Sequence, residues 1–132
     1  MKTLLDDNEK LGIVQEGESA NVVATFRFGT TAIVKASILT MELTLYDLAS
    51  GAVIAGRDSQ NVKDANDGAM ASDGTLTLRL GPTDNVIVGT DLDEGDYEIH
   101  VARLTWTWSD GVKTRTGVDE LSFRVLKIAT PA

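Results

Sequence analysis

The chain has 132 residues, 42% of them hydrophobic, which is material for one domain with a single core. A formal net charge of −8 and a pI near 4.5 argue against nucleic-acid binding, because that affinity rests on Lys and Arg neutralising backbone phosphates. With no cysteine, disulfides, thiolate metal sites and cysteine nucleophiles are excluded.

Residues 1–10 are polar and acidic, with only Leu4 and Leu5 to bury, and are expected to form a flexible N-terminal arm. Residues 11–128 then form the domain. The opening Met1 to Leu5 meets Asp6 and Asp7 at once, too early for a secretory apolar stretch, and no run approaches membrane-spanning length. No export signal and no membrane partner are therefore expected.

Leu11 to Gln15 suits a short strand. From Ala20 the alternation is clean, with Ala20, Val22, Ala24, Phe26 and Phe28 on one face. Gly29-Thr30-Thr31 breaks it. A second alternating strand puts Leu39, Met41, Leu43 and Leu45 inward and Thr40, Glu42, Thr44 and Tyr46 outward. Arg57 to Asp73 has no period and is rich in Asp, Asn, Ser and Gly; it is expected to be a long mobile loop, dispensable for folding. Leu76, Leu78 and Leu80 mark a third strand, stopped by Gly81-Pro82.

The most informative stretch is Gly95 to Leu126, two strand-like runs joined at Ser109-Asp110-Gly111. Asp-Gly between β-rich runs signals a two-residue hairpin loop, which sets Trp108 opposite Lys113, Trp106 opposite Arg115 and Leu104 opposite Gly117. Further from the turn this register pairs Ile99 with Ser122 and Val101 with Glu120. A one-residue bulge at Gly117-Val118 restores apolar pairing of Val101 with Leu121 and Ile99 with Phe123. The first strand also changes phase: Tyr97, Ile99 and Val101 share one face, Leu104, Trp106 and Trp108 the other. Either a second bulge near Ala102-Arg103 returns the tryptophans to the core, or the strand runs on and presents them on the opposite surface. On the second placement Trp106, Trp108, Lys113 and Arg115 form an intermolecular contact, since exposed Trp and Arg together mark interfaces.

Short alternating strands with turns between them and no helical period indicate an all-β fold, an immunoglobulin-like antiparallel β-sandwich of about seven strands. His100 is the single histidine; alternation points it away from Ile99 and Val101, to a solvated strand position. The acidic cluster Asp91, Asp93, Glu94 and Asp96 lacks the spacing of a calcium loop, as do Asp64, Asn66 and Asp67, and ordinary turn chemistry explains both. There is no phosphate-cradling glycine loop, nucleophile elbow or paired-carboxylate motif. A non-enzyme without cofactor or bound metal is expected.

Several pieces share an order: Leu43-Thr-Leu-Tyr-Asp47 followed by Gly51-Ala-Val53, then Asp73-Gly-Thr-Leu-Thr-Leu78, Gly95-Asp-Tyr-Glu-Ile99, Asp110-Gly111, Thr114-Arg-Thr116 and Phe123-Arg-Val125. In these the chain resembles the immunoglobulin-like domains of tailed-phage virion proteins, above all the N-terminal domain of baseplate upper proteins, and more loosely neck, tail and capsid decoration domains. The resemblance implies a non-enzymatic structural subunit of the virion, assembled in the host cytoplasm. Its partners would be other virion proteins and further copies of itself. A carbohydrate- or receptor-binding module is the alternative; it would stack Trp106, Trp108 and Tyr46 on its ligand with help from the 57–73 loop.

Overall fold

A computed structural model describes residues 2–4 and 12–128 of the chain. Along it run β1 (Lys2–Leu4), β2 (Gly12–Gln15), β3 (Ala20–Ala24), β4 (Arg27–Phe28), β5 (Thr31–Ala32), β6 (Ile38–Asp47), β7 (Gln60–Asn61), β8 (Gly68–Met70), β9 (Leu76–Leu80), β10 (Tyr97–Ser109) and β11 (Thr114–Leu126). One sheet has the order β1-β3-β9-β8 and the other β2-β11-β10-β6-β7, with β4 and β5 as a separate small hairpin. The protein is an all-β sandwich. The orders β3-β9-β8 and β7-β6-β10-β11 are those of immunoglobulin strands B-E-D and C′-C-F-G.

Period-two patterning builds the core. Ala20 and Val22 of β3, Leu76, Leu78 and Leu80 of β9, Met41, Leu43 and Leu45 of β6, and Phe123 and Val125 of β11 are all essentially inaccessible. Each large aliphatic side chain buried this way stabilises the fold by roughly 1.5 to 3 kcal/mol before entropy is counted.

Several expectations need correction. The sandwich is not wholly antiparallel, because β1 runs parallel to β3 and β2 parallel to β11. In place of about seven strands the described residues hold eleven, five of them only two or three residues long. Of the expected arm, residues 2–4 lie in β1; residues 1 and 5–10 lie outside the described residues, as does the end of the tail. Phe28 and Leu39, assigned inward by strict alternation, are about half exposed. β3 stops at Ala24, so its phase does not reach Phe28. At Leu39 a register shift pairs Thr107 with Thr40 but Trp108 with Ile38; the extra residue on β6 turns Leu39 outward and Ile38 in.

The β10–β11 ladder contains no bulge. It runs unbroken from Tyr97↔Leu126 to Ser109↔Thr114, two residues away from the expected register, because the loop holds four residues, 110–113. Asp110 sets that loop: its Oδ1 accepts the backbone N–H groups of Val112 and Lys113 at 2.8 and 2.7 Å. Gly117 therefore has another purpose. It stands directly opposite Trp106, and a Cβ there would collide with the indole ring. The ring fills the space above the glycine.

No second bulge occurs in β10 either. The core face carries Glu98, His100, Ala102, Leu104, Trp106 and Trp108, all buried, while Tyr97, Ile99 and Arg103 face outward. His100 is thus corrected from a solvated position to full burial, its ring edge-on to Phe123 at 5.8 Å.

The 57–73 segment is no free loop. It contains β7 and β8, and it sends Val62 and Met70 into the core. Arg57, 6% exposed, ties it down: the guanidinium donates to Asp84 Oδ1 and Oδ2 at 2.6 and 3.0 Å, Gln60 Oε1 at 3.0 Å, the Asn66 carbonyl at 3.0 Å and Asp67 Oδ2 at 2.9 Å. The Asp84 hydrogen bonds hold the Arg57 pKa above its ordinary value against the opposing effect of burial. At Gly68 the backbone of Val62 passes so close that any side chain would strike its carbonyl.

Candidate functional site: the hairpin tip

The residues expected to form an interface divide here between core and surface. Trp106 and Trp108 are 4% and 8% exposed, which removes the exposed tryptophan patch. The reason is the phase of β10, whose even-numbered positions all face the opposite sheet. Trp106 packs on Phe26 with centroids 5.2 Å apart and donates its Nε1–H to Asp119 Oδ2 at 2.8 Å, so its one polar atom is satisfied. Trp108 lies against Trp106 at 6.4 Å.

Lys113 and Arg115 are on the surface, and the ring beside Arg115 is Phe28. It covers Trp108 at 5.4 Å and lies under the Arg115 guanidinium at 4.9 Å. Arg115 also pairs with Asp110 at 2.7 Å. The Lys113 backbone N–H first, then Arg115, hold the Asp110 carboxyl at a pKa of about 2. This tip carries Val112, 89% exposed, and borders an open groove of about 510 Å³ between the hairpin and residues 31–37, lined by Val34, Ala36 and Trp108 among others. The tip thus exposes Phe28, Val34 and Val112 among polar side chains, with Arg115 over the Phe28 ring. Phe28 was missed in the sequence because it was counted into the core face of β3. The Gly29-Thr30-Thr31 break just after it was the available signal that strand phase ends nearby.

No family model and no curated protein matches the sequence. Among solved structures, the N-terminal domain of phage TP901-1 ORF48 is similar at 12% identity, covering 98% of this chain and 100% of that chain, with a TM-score of 0.48.

The outer face of the larger sheet offers little for stacking on a ligand. Tyr46 donates its hydroxyl to Glu120 at 2.8 Å and its ring lies beneath Arg103 at 5.1 Å. The Glu120 hydrogen bond raises the Tyr46 pKa, and the same bond, helped by Arg103, lowers that of Glu120. Arg124 lies over one face of the Tyr97 ring, at 5.0 Å, while the residue stays about half exposed. With both tryptophans in the core, the aromatic platform needed for sugar binding is not assembled. Asp64 and Asp67, weighed above as calcium ligands, are engaged by protein groups: Asp64 pairs with Lys35 at 2.7 Å and accepts the Met70 N–H, and Asp67 holds Arg57. No described helix is long and apolar enough to cross a membrane.

Proposed function

We propose that the protein is a non-enzymatic structural subunit of a tailed-phage virion, in its neck, tail, baseplate or capsid decoration, working through contacts with other virion proteins and with copies of itself. The ordered series of sequence motifs described above supports the phage assignment. The observation that carries the contact function is the hairpin tip: Val112 on the loop of the long β10–β11 hairpin, with Phe28 under Arg115 and Val34 across the adjoining groove, presents exposed apolar side chains next to charge. Exposed apolar surface rimmed by charge is what protein interfaces bury, with Arg among the residues most enriched there.

Light scattering on the isolated chain, alone and mixed with neck, tail and baseplate proteins, tests the reading. Phe28→Asp with Val112→Asp is expected to leave the circular dichroism spectrum intact and to abolish co-migration with the partner. A wild-type chain that stays monomeric and joins no virion fraction would overturn the assignment. Retained assembly in the double variant would move the contact away from the tip.

A further inference from the structure

Beneath the even face of β10 lies a second buried polar group, apart from the tip. His100 is paired in register with Asp47 at the end of β6, and Glu98 is two residues before it on the same face. Asp47, Glu98 and His100 are 4%, 9% and 0% exposed, and one ligand-type atom from each lies within 4.8 Å of the others. Glu98 is oriented by the backbone: its Oε1 accepts the Val88 N–H at 2.7 Å and its Oε2 the Gly89 N–H at 3.0 Å. His100 Nε2 is 2.7 Å from Glu98 Oε1. Asp47 Oδ2 accepts both the backbone N–H and the hydroxyl of Ser50, at 3.0 and 2.7 Å.

Two atoms of this group are left over. Asp47 Oδ1 and His100 Nδ1 are buried and have no hydrogen-bond partner. Among the described residues, neither Asp47 nor Glu98 forms an ion pair with Lys or Arg. Two carboxylates at this depth are costly without a compensating cation, and buried polar atoms without a partner add to the cost. The geometry points to a divalent metal ion bound by Asp47, Glu98 and His100.

The donor set narrows the ion. One imidazole nitrogen with two carboxylate oxygens suits a first-row divalent ion such as Zn²⁺, Mn²⁺ or Fe²⁺; calcium and magnesium favour oxygen-only shells with more ligands. Three protein ligands leave one tetrahedral position free. A groove of about 670 Å³, lined by Asp47, Ser50, Gly89, Asp91, Tyr97 and Glu98 among others, gives access and room for a water or a partner's ligand atom in that position. The two backbone N–H groups on Glu98 and the Ser50 bonds on Asp47 are the supporting contacts that hold ligands in place.

Isothermal titration of the full chain, stripped with EDTA and held at neutral pH, tests this with ZnCl₂ and separately with CaCl₂. One Zn²⁺ per chain is expected, with Ca²⁺ weaker by at least about tenfold. Co²⁺ in place of Zn²⁺ should give the intense visible d–d absorption of a four-coordinate ion; only the weak absorption of octahedral, hydrated Co²⁺ would place it on surface carboxylates and overturn the site. Asp47→Asn can keep both Ser50 hydrogen bonds through its amide oxygen, so it should fold, as circular dichroism would verify, and lose at least about tenfold in Zn²⁺ affinity. Absence of saturable Zn²⁺ binding by the wild-type chain would overturn the site. So would stoichiometric binding that survives Asp47→Asn, which would place the ion on surface carboxylates such as those at 91–96.

Discussion

Two buried charged groups, each next to the same strand β6, solve the same electrostatic problem in opposite ways. Around Arg57 the charges balance from within: a guanidinium 7% exposed in its side chain meets Asp84 at 5%, and its other hydrogen bonds go to Gln60, the Asn66 carbonyl and Asp67. Around His100 the protein supplies two carboxylates, a ring whose charge depends on protonation, and two buried polar atoms, Asp47 Oδ1 and His100 Nδ1, with no partner. The first group is complete and structural. The second is an incomplete shell, costly as it stands and suited to an added cation. Burial alone does not separate them; what separates them is whether each lone pair has a donor.

Removing the segment that completes the first group should have the largest effect. Replacing residues 59–71 by a short Gly-Ser link deletes Val62, Met70, Gln60, Asn66 and Asp67 together. Loss of the two core side chains alone costs roughly 3 to 8 kcal/mol, against a total stability of about 5 to 15 kcal/mol for an ordinary domain. Urea denaturation should find little or no folded protein. A link variant with wild-type stability would show that the Arg57 network is decoration.

Arg57→Met comes next. It leaves Asp84 buried without its cation and is expected to lower stability by about 3 to 5 kcal/mol. The sharpest contrast is a pair of matched substitutions in chelator. Asp84→Asn breaks the bidentate contact while Asp67 still holds the guanidinium, a loss of about 2 to 3 kcal/mol. Asp47→Asn removes an uncompensated charge and can keep its Ser50 bonds, so it should stay within about 1 kcal/mol of wild type or gain. If both variants lost the same amount by chemical denaturation, the distinction between the two groups would collapse.

These contrasts also mark where the sequence was readable. Leu76, Leu78 and Leu80 on β9, and Met41, Leu43 and Leu45 on β6, alternate against polar neighbours, and the sheet buries them as their period demands. The Arg57 network could not be read that way. Val62 and Met70 are single apolar residues set among Asp and Asn, and the backbone between them turns through positive φ at Asp64, Asn66 and Asp67, which shows no periodicity. His100 was placed outside because Tyr97, Ile99 and Val101 resemble a core face. That inference fails because the outer face of a central strand can also carry large apolar side chains. Counting back by twos from Trp108 gives Trp106, Leu104, Ala102, His100 and Glu98, the face the structure buries. That count was the available signal. The tip's register was missed because Asp-Gly fits both a two-residue and a four-residue loop, and the choice rests on Asp110 binding two amides at once.

The smallest predicted effect supplies the exposed reference for both buried groups. The Asp110 carboxyl titrates near 2 in the folded chain, below its ordinary value of 3.8. A depressed carboxyl contributes stability above its unfolded pKa and loses it as pH falls through the folded one, so the tip should loosen between about pH 4 and pH 2. Carboxyl-carbon NMR should find the Asp110 midpoint near 2, and Arg115→Ala should move it upward. A midpoint at the ordinary value would mean that the loop bonds do not persist in solution.

The parallel pairing of β2 with β11 has a consequence for how the chain comes into being. Gly12–Gln15 has its partner at Phe123 to Leu126, and Ile128 reaches back to Glu16 at 3.1 Å across a separation of 112 residues. During synthesis the first of these strands leaves the ribosome with nothing to pair with until the last one follows. Contacts this distant in sequence impose loop-closure entropy before they return any stability, which slows folding. Until β2 docks, the outer edge of the long hairpin is an open row of amides and carbonyls, able to recruit a strand from another nascent copy.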